Sequence, residues 1–137
     1  MNKIRIALLT FSLAAAASLT SLAQAAHSED EAVKVVQSSK YNVFTGNWDV
    51  ELDDDARSLA EDFRMQMPNL DYHLVDEETV VKKNSARTVL TFRGDGDQRV
   101  IVKLKEIPEG TNVRLRVGMA GSEAKSAELF KYVFMRM

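Results

Sequence analysis

Alternation of apolar and polar residues over consecutive short segments is the feature that most constrains how this chain can fold. Segments 87–93, 99–105 and 112–117 each carry apolar residues at every second position, which is the period of a β-strand with one buried face. They are separated by Gly94-Asp95-Gly96-Asp97 and Pro108-Glu109-Gly110, both typical of tight turns. The pattern therefore predicts three consecutive strands joined by hairpins.

Four further elements complete the predicted order. Segment 47–52 alternates as a strand, and another strand begins at Tyr72, with an uncertain end at the acidic run 76–78. A helix follows Asp53, its expected N-cap, and ends before Pro68. A last helix follows Ser122. The order is strand, helix, four strands, helix (β-α-β-β-β-β-α).

Each predicted strand has one apolar face and each predicted helix one apolar stripe. We therefore expect an α+β two-layer sandwich, with an antiparallel sheet of about five strands and both helices on its apolar face. Residues 41–137 are expected to form a single domain. Its predicted core contains Trp48, Val50, Leu59, Phe63, Leu90, Phe92, Val100, Val102, Leu104, Val113, Leu115, Val117, Phe130 and Phe134.

The N-terminal segment predicts export. Lys3 and Arg5 precede an apolar stretch over 6–17, and Ala23-Gln24-Ala25 matches the small-x-small cleavage pattern of a signal peptide over residues 1–25. Residues 26–40 are expected to be a flexible lead-in. No second long apolar run follows, so no transmembrane segment is expected after cleavage. The sequence predicts a periplasmic or secreted protein, and without cysteine it has no lipid attachment site of the lipoprotein type.

Composition argues against several chemistries. The chain has no cysteine and two histidines, His27 and His73, so thiolate metal sites, cysteine nucleophiles and histidine-based catalytic groups lack their residues. No cofactor and no metal are predicted. Loss of the leader with Lys3 and Arg5 changes the net charge from −2 to −4, which argues against nucleic acid as a partner.

The polar positions of the alternating strands are rich in cations. Opposite the predicted core face stand Arg87, Arg93, Arg99, Lys103, Lys105, Arg114 and Arg116. One interpretation is a binding site for an anionic partner such as a lipid head group, an acidic glycan or an acidic protein, with Arg93, Arg99, Lys103, Arg114 and Arg116 as its residues. The alternative is a solvated sheet face whose cations limit aggregation and are partly balanced by Asp49 and Glu51.

Two other segments have a possible binding interpretation and a structural one. Asp49, Glu51, Asp53 and Asp55 are spaced by two, as in calcium loops, but the glycine and glutamate of an EF-hand are missing at the required positions. A strand edge followed by a helix cap accounts for the same residues. Segment 118–122 precedes a helix and could hold an anion on its backbone, although a turn with a cap explains it equally well.

The last strand and helix resemble a known group of proteins. Thr111-Asn112-Val113-Arg114-Leu115-Arg116-Val117-Gly118, followed by Gly121-Ser122-Glu123 and Ser126, is similar to the C-terminal signature of a family of small exported bacterial proteins, many of them lipoproteins. That family is known only as a domain of unknown function. The resemblance extends from about Tyr41 to the end, and it implies a βαββββα-type fold and an envelope location. The family usually has an aspartate at the position of Ser122, and its lipid-bearing members have a cysteine that this chain lacks.

Taken together, these features predict a non-enzymatic exported domain with a binding or structural role in the cell envelope, with an envelope protein or an anionic envelope component as its partner. The more specific alternative is binding of an anionic component through the basic sheet face. A small hydrolase that uses carboxylates alone is the enzymatic alternative. It would require a deep pocket with two carboxylates about 5–10 Å apart.

Overall fold

A computed structural model describes residues 27–83 and 85–137, and the predicted signal peptide lies outside this range. The fold is α+β, as predicted, with one open antiparallel sheet of six strands in the order β1-β2-β6-β5-β4-β3. The strands are β1 Lys40–Asn42, β2 Asn47–Leu52, β3 His73–Lys82, β4 Ser85–Arg93, β5 Arg99–Ile107 and β6 Gly110–Val117.

Three helices accompany the sheet in the described part of the chain: α1 Glu29–Gln37, α2 Ala56–Gln66 and α3 Glu123–Phe134. Helix α2 contacts β4 and β5, α3 contacts β2 and β6, and α1 packs against α3. A short 3-10 turn, Met67–Leu70, follows α2 and contains the proline that was expected to end it. Within residues 27–83 and 85–137, no helix is long and apolar enough to cross a membrane.

The sequence predicted about five strands and two helices, whereas the part of the chain that the structure describes has six strands and three helices. Helix α1 and the first residue of β1, Lys40, lie within 26–40, the segment expected to be a flexible lead-in. Ser28 and Glu31 form a capping box, in which the Ser28 Oγ accepts a hydrogen bond from the Glu31 backbone N–H at 3.1 Å. Ala32 is fully buried among the core residues. The acidic residues at 29–31 therefore belong to a helical first turn, where the helix dipole favours negative charge.

Two boundaries also differ from the sequence prediction. Asp55, not Asp53, caps α2: its Oδ1 accepts a hydrogen bond from the Ser58 backbone N–H at 2.9 Å. Strand β3 continues through the acidic run 76–78 to Lys82, after an irregularity in pairing between Leu74 and Asp76. An edge strand tolerates such a run because both faces of these residues can remain hydrated.

The core lies between the sheet and the helices, as the alternation predicted. All fourteen residues of the predicted core are buried, and Phe92 and Phe130 are only 1% and 0% exposed. The Phe130 ring contacts Trp48 of β2, with ring centroids 5.0 Å apart, and Phe134, with centroids 5.5 Å apart. Within residues 27–83 and 85–137, no helix covers the opposite face of the sheet, so its polar side chains form an open surface there.

Candidate functional site

The open face of the sheet carries a basic stripe on its three central strands. We use this name for the seven cations on β4, β5 and β6 that the alternation placed opposite the core: Arg87, Arg93, Arg99, Lys103, Lys105, Arg114 and Arg116. The register pairs Lys103 with Arg114 and Arg87 with Lys105 across adjacent strands. Directly opposed side chains in a sheet have Cβ atoms about 4.5–5.5 Å apart, so these cations share one surface.

The five predicted site residues fall into two groups. Lys103 and Arg114 are direct cross-strand neighbours, and Arg116 lies opposite Ile101, two residues along β5 from Lys103. Arg93 and Arg99 form a separate pair beside the β4–β5 hairpin. The alternation therefore predicted the common face of these residues, and the register determines which of them are direct neighbours.

Acidic residues on both flanking strands narrow the basic surface. On β2, Asp49 accepts a hydrogen bond on Oδ1 from Arg114 Nε at 2.8 Å. On β3, the register places Glu78 opposite Val89 and Asp76 opposite Thr91, on the same open face. The β3 contribution was not predicted, because the end of that strand could not be placed from its acidic sequence.

Partial neutralisation also occurs within the stripe. Arg93 Nη1 donates a hydrogen bond to Asp97 Oδ1 at 2.9 Å, so the charge of Arg93 is compensated by its own hairpin. The remaining five stripe cations have no carboxylate within 4.0 Å among the residues described: Arg87, Arg99, Lys103, Lys105 and Arg116. The uncompensated charge is therefore concentrated on β5.

Two adjacent concavities open on this face, and both are lined by Lys103 and Arg114. The first, which we call the loop-side pocket, has a volume of about 380 Å³ and is lined by Phe44, Thr45, Asn47, Ile101, Lys103, Arg114 and Arg116. The second, the central pocket, has a volume of about 330 Å³ and is lined by Glu51, Arg87, Lys103, Lys105, Ile107, Asn112 and Arg114. Each concavity thus offers three or more cationic side chains to one small anionic group.

Arg116 is held in place beside the loop-side pocket. One of its guanidinium nitrogens, Nη2, donates a hydrogen bond to the backbone carbonyl of Met119. Its Nε is buried and has no hydrogen-bond partner within the described residues. An unpaired buried donor of this kind costs about 1–3 kcal/mol, so an acceptor that reached it would recover part of that free energy.

Phe44 is a residue of this site that the sequence did not indicate. It lies in the β1–β2 loop and lines the loop-side pocket beside the cations. Its side chain is 95% exposed. The sequence did contain one indication of its role, a large aromatic residue inside a polar turn. The other residues that line the pocket, however, come mostly from β5 and β6, more than 50 residues later in the chain.

The other segments considered from sequence have structural roles. Asp49 pairs with Arg114 and Asp55 caps α2, so two members of the acidic series already have partners. No group of three or more potential metal-binding residues occurs within 27–83 and 85–137. Ser122 caps α3, with its Oγ accepting a hydrogen bond from the Lys125 backbone N–H at 3.2 Å.

The two histidines lie apart. His27 stacks on Phe134, with ring centroids 4.2 Å apart, and contacts Glu31 at 3.1 Å between Nδ1 and Oε2. The hydrogen bond with His27 and the capping contact with Ser28 hold the pKa of Glu31 below its usual value. His73 begins β3, opposite Arg93, and is exposed.

A larger concavity, of about 550 Å³, lies on the helical side of the molecule between α3 and the segment after α2. Its lining is mainly apolar and includes Leu70, Val117 and Leu129. Tyr72 Oη donates a hydrogen bond to Gln98 Oε1 at 2.7 Å, and burial raises the pKa of the Tyr72 phenol. Glu128 is the one carboxylate among the described residues that line it, so this concavity lacks the carboxylate pair that a carboxylate-only hydrolase requires.

Comparisons with protein-family models and with curated proteins find no match to this chain. Function is therefore inferred from the geometry of the site.

Proposed function

We propose that this protein is a non-enzymatic exported module that binds an anionic component of the cell envelope through its basic stripe. The observation that carries the proposal is the pair of adjacent concavities that share Lys103 and Arg114. Lys103 has no carboxylate within 4.0 Å among the described residues, whereas Arg114 is already paired with Asp49. An anionic group in either concavity would therefore be attracted mainly by Lys103 and by the unpaired cations beside it.

The envelope location is supported by the sequence. The N-terminal segment has the charge, apolar stretch and cleavage pattern of a signal peptide. The C-terminal segment resembles a family of exported bacterial proteins. An exported module with a net acidic charge but a local cationic surface suits a partner that presents several negative charges together.

Chromatography on two immobilised polyanions with different backbones, dextran sulfate and polyglutamate, tests the proposal. We expect retention of the purified protein on both matrices at low salt and release as salt rises, since exposed charges are screened beyond a Debye length of about 8–10 Å. The variant Lys103→Gln/Arg114→Gln removes the two cations that the pockets share, and we expect it to lose most of this retention.

A matched control uses two cations on the helical side, Lys34 in α1 and Arg57 in α2. The variant Lys34→Gln/Arg57→Gln changes the net charge by the same amount as the test variant, and both residues are exposed. We expect it to be retained like the unmodified protein. Equal loss in both variants, or no salt-sensitive retention on either matrix, would contradict a site on the basic stripe.

A further inference from the structure

Three large apolar side chains are exposed to solvent at one end of the sheet. Phe44 is 95% exposed, Met119 91% and Val43 72%. We call these three residues the apolar tip. Val43 and Phe44 belong to the β1–β2 loop, and Met119 belongs to the loop between β6 and α3. Grouped apolar side chains that a folded protein leaves in water mark an interaction surface more often than isolated ones do.

The two loops are fixed to each other, so the apolar tip has a defined shape. The backbones of Gly46 and Gly121 lie in contact, and a Cβ on either glycine would overlap the backbone of the other loop. Arg116 holds the second loop through the Met119 carbonyl. The Asn42 side chain holds the first, since its Oδ1 accepts a hydrogen bond from the Phe44 backbone N–H at 2.8 Å.

Cations border the apolar tip directly. Phe44 lines the loop-side pocket together with Lys103, Arg114 and Arg116. Arg99 also begins β5 at this end, where its backbone carbonyl accepts a hydrogen bond from the Gly118 N–H at 2.7 Å. Exposed apolar side chains beside a row of cations match the chemistry of an anionic bilayer surface, where phosphates lie above the acyl boundary.

Charge is distributed unevenly along the sheet. At the end opposite the tip, Asp53, Asp55, Glu106 and Glu109 line a shallow concavity. At the tip end, Asp49 compensates Arg114 and Asp97 compensates Arg93, and Asp95 lies in the β4–β5 hairpin. Of the stripe cations without a carboxylate partner, Arg99, Lys103 and Arg116 lie on the tip side, and Arg87 and Lys105 lie toward the other end, where the acidic residues of that end offset them. An anionic surface should therefore be approached with the tip end first.

We propose that the apolar tip and the adjoining cations dock on the surface of an anionic lipid bilayer, with Phe44 and Met119 entering the headgroup layer. This inference rests on the proposed function and names the source of its anionic ligand. A soluble acidic glycan or protein could pair with the cations. A flexible polyanion, however, has no apolar layer in which the side chains of Phe44 and Met119 could be buried. A bilayer satisfies both sets of side chains at once.

Co-sedimentation with lipid vesicles tests the docking. We expect the protein to bind vesicles of phosphatidylglycerol mixed equally with phosphatidylcholine, and to bind pure phosphatidylcholine vesicles at least about tenfold more weakly. Phe44→Ser/Met119→Ser should weaken binding to the mixed vesicles by about tenfold or more. The matched control Met65→Ser/Val81→Ser removes two other exposed apolar side chains, 65% and 78% exposed, and should bind like the unmodified protein.

Insertion has its own readout, because Trp48 is only 1% exposed and lies in the core. Its fluorescence should stay constant, so an indole introduced by Phe44→Trp reports on the tip alone. We expect a blue shift of that indole on mixed vesicles and none for Val81→Trp. A Phe44→Trp protein that sediments with the vesicles without a blue shift would overturn insertion of the tip.

The outcomes separate this inference from the proposed function. Retention on dextran sulfate together with no vesicle binding would overturn bilayer docking, and the proposed function would then stand with an acidic glycan or protein as its ligand. Vesicle binding that Phe44→Ser/Met119→Ser leaves unchanged would also overturn the role of the tip. Absence of binding to the polyanions and to the vesicles would overturn both proposals.

Discussion

At the scale of single residues, Phe130 packs helix α3 against the sheet. It is fully buried, it contacts Trp48 in β2, and it stacks near Phe134 one helical turn later. An aromatic side chain in such a position contributes through its buried area and through its tilted and stacked contacts with the two aromatic neighbours. Loss of the ring would leave a cavity that the sheet on one side cannot close without shifting its register.

Replacement of Phe130 by alanine should therefore lower the free energy of unfolding by about 3–5 kcal/mol. The measurement is urea denaturation followed by circular dichroism. Phe44→Ala is the matched control, because it removes the same ring from a position 95% exposed, and it should change stability by about 0.5 kcal/mol or less. Comparable losses in the two variants would show that the core is not arranged as described.

At the scale of elements, one ion pair joins α2 to the edge strand β3. Arg64 Nε and Nη2 donate hydrogen bonds to the two carboxylate oxygens of Glu77, at 2.9 and 2.8 Å. Arg64 Nη1 also donates to Glu61 Oε1 at 3.0 Å. These hydrogen bonds from Arg64 hold the pKa of Glu77 below its usual value. A bidentate pair between two elements has better geometry than most surface pairs, although both partners remain partly exposed.

The pair should make stability depend on pH in the acid range. Because the pKa of Glu77 is lower in the folded state, the unfolded chain binds the proton first as pH falls, and the stabilisation is lost below the ordinary pKa of about 4.3. We expect Glu77→Gln to lower the unfolding free energy by up to about 1 kcal/mol at pH 7, and by much less at pH 3.

Urea titrations at the two pH values measure this difference. Glu78→Gln is the control, because Glu78 is the neighbouring residue on the opposite face of β3 and has no ion pair among the described residues. A Glu77→Gln effect that is as large at pH 3 as at pH 7 would contradict a stabilising ionised pair.

At the scale of the whole molecule, the sheet is most strongly supported at its centre. Strands β5 and β6 pair on both sides and are covered by α2 and α3. Strand β3 pairs on one side only, and its residues from His73 to Thr79 are exposed. Local opening requires little free energy where few apolar contacts are broken, so the sheet should open from the β3 edge.

Hydrogen exchange measured by NMR tests whether local stability decreases from the centre of the sheet to the β3 edge. We expect the slowest amides in the buried segments 102–104 and 113–115, and exchange that is faster by about tenfold or more at exposed positions near the end of β3. Equal protection of β3 and β5 would indicate that another element covers the β3 edge in solution.

The sequence by itself determined strands β2, β4, β5 and β6, the two hairpins that join β4, β5 and β6, and the fourteen predicted core residues. Alternation with a period of two is a local property: once Val100, Val102 and Leu104 point inwards, Arg99, Lys103 and Lys105 must point outwards. A tight turn depends on about four consecutive residues. The turn that contains the glycines at 94 and 96 could therefore also be predicted from the sequence alone.

Only the tertiary structure decided which of these elements became neighbours. The strand order places β2 beside β6, and this brings Asp49 to Arg114 and Phe44 to Arg116. Nothing local encodes contacts between segments more than 60 residues apart, because they are selected by how the whole core packs. The cationic face and the acidic residues on β2 could therefore be predicted from the sequence, whereas the pairing of Asp49 with Arg114, the acidic border on β3 and the apolar tip could not.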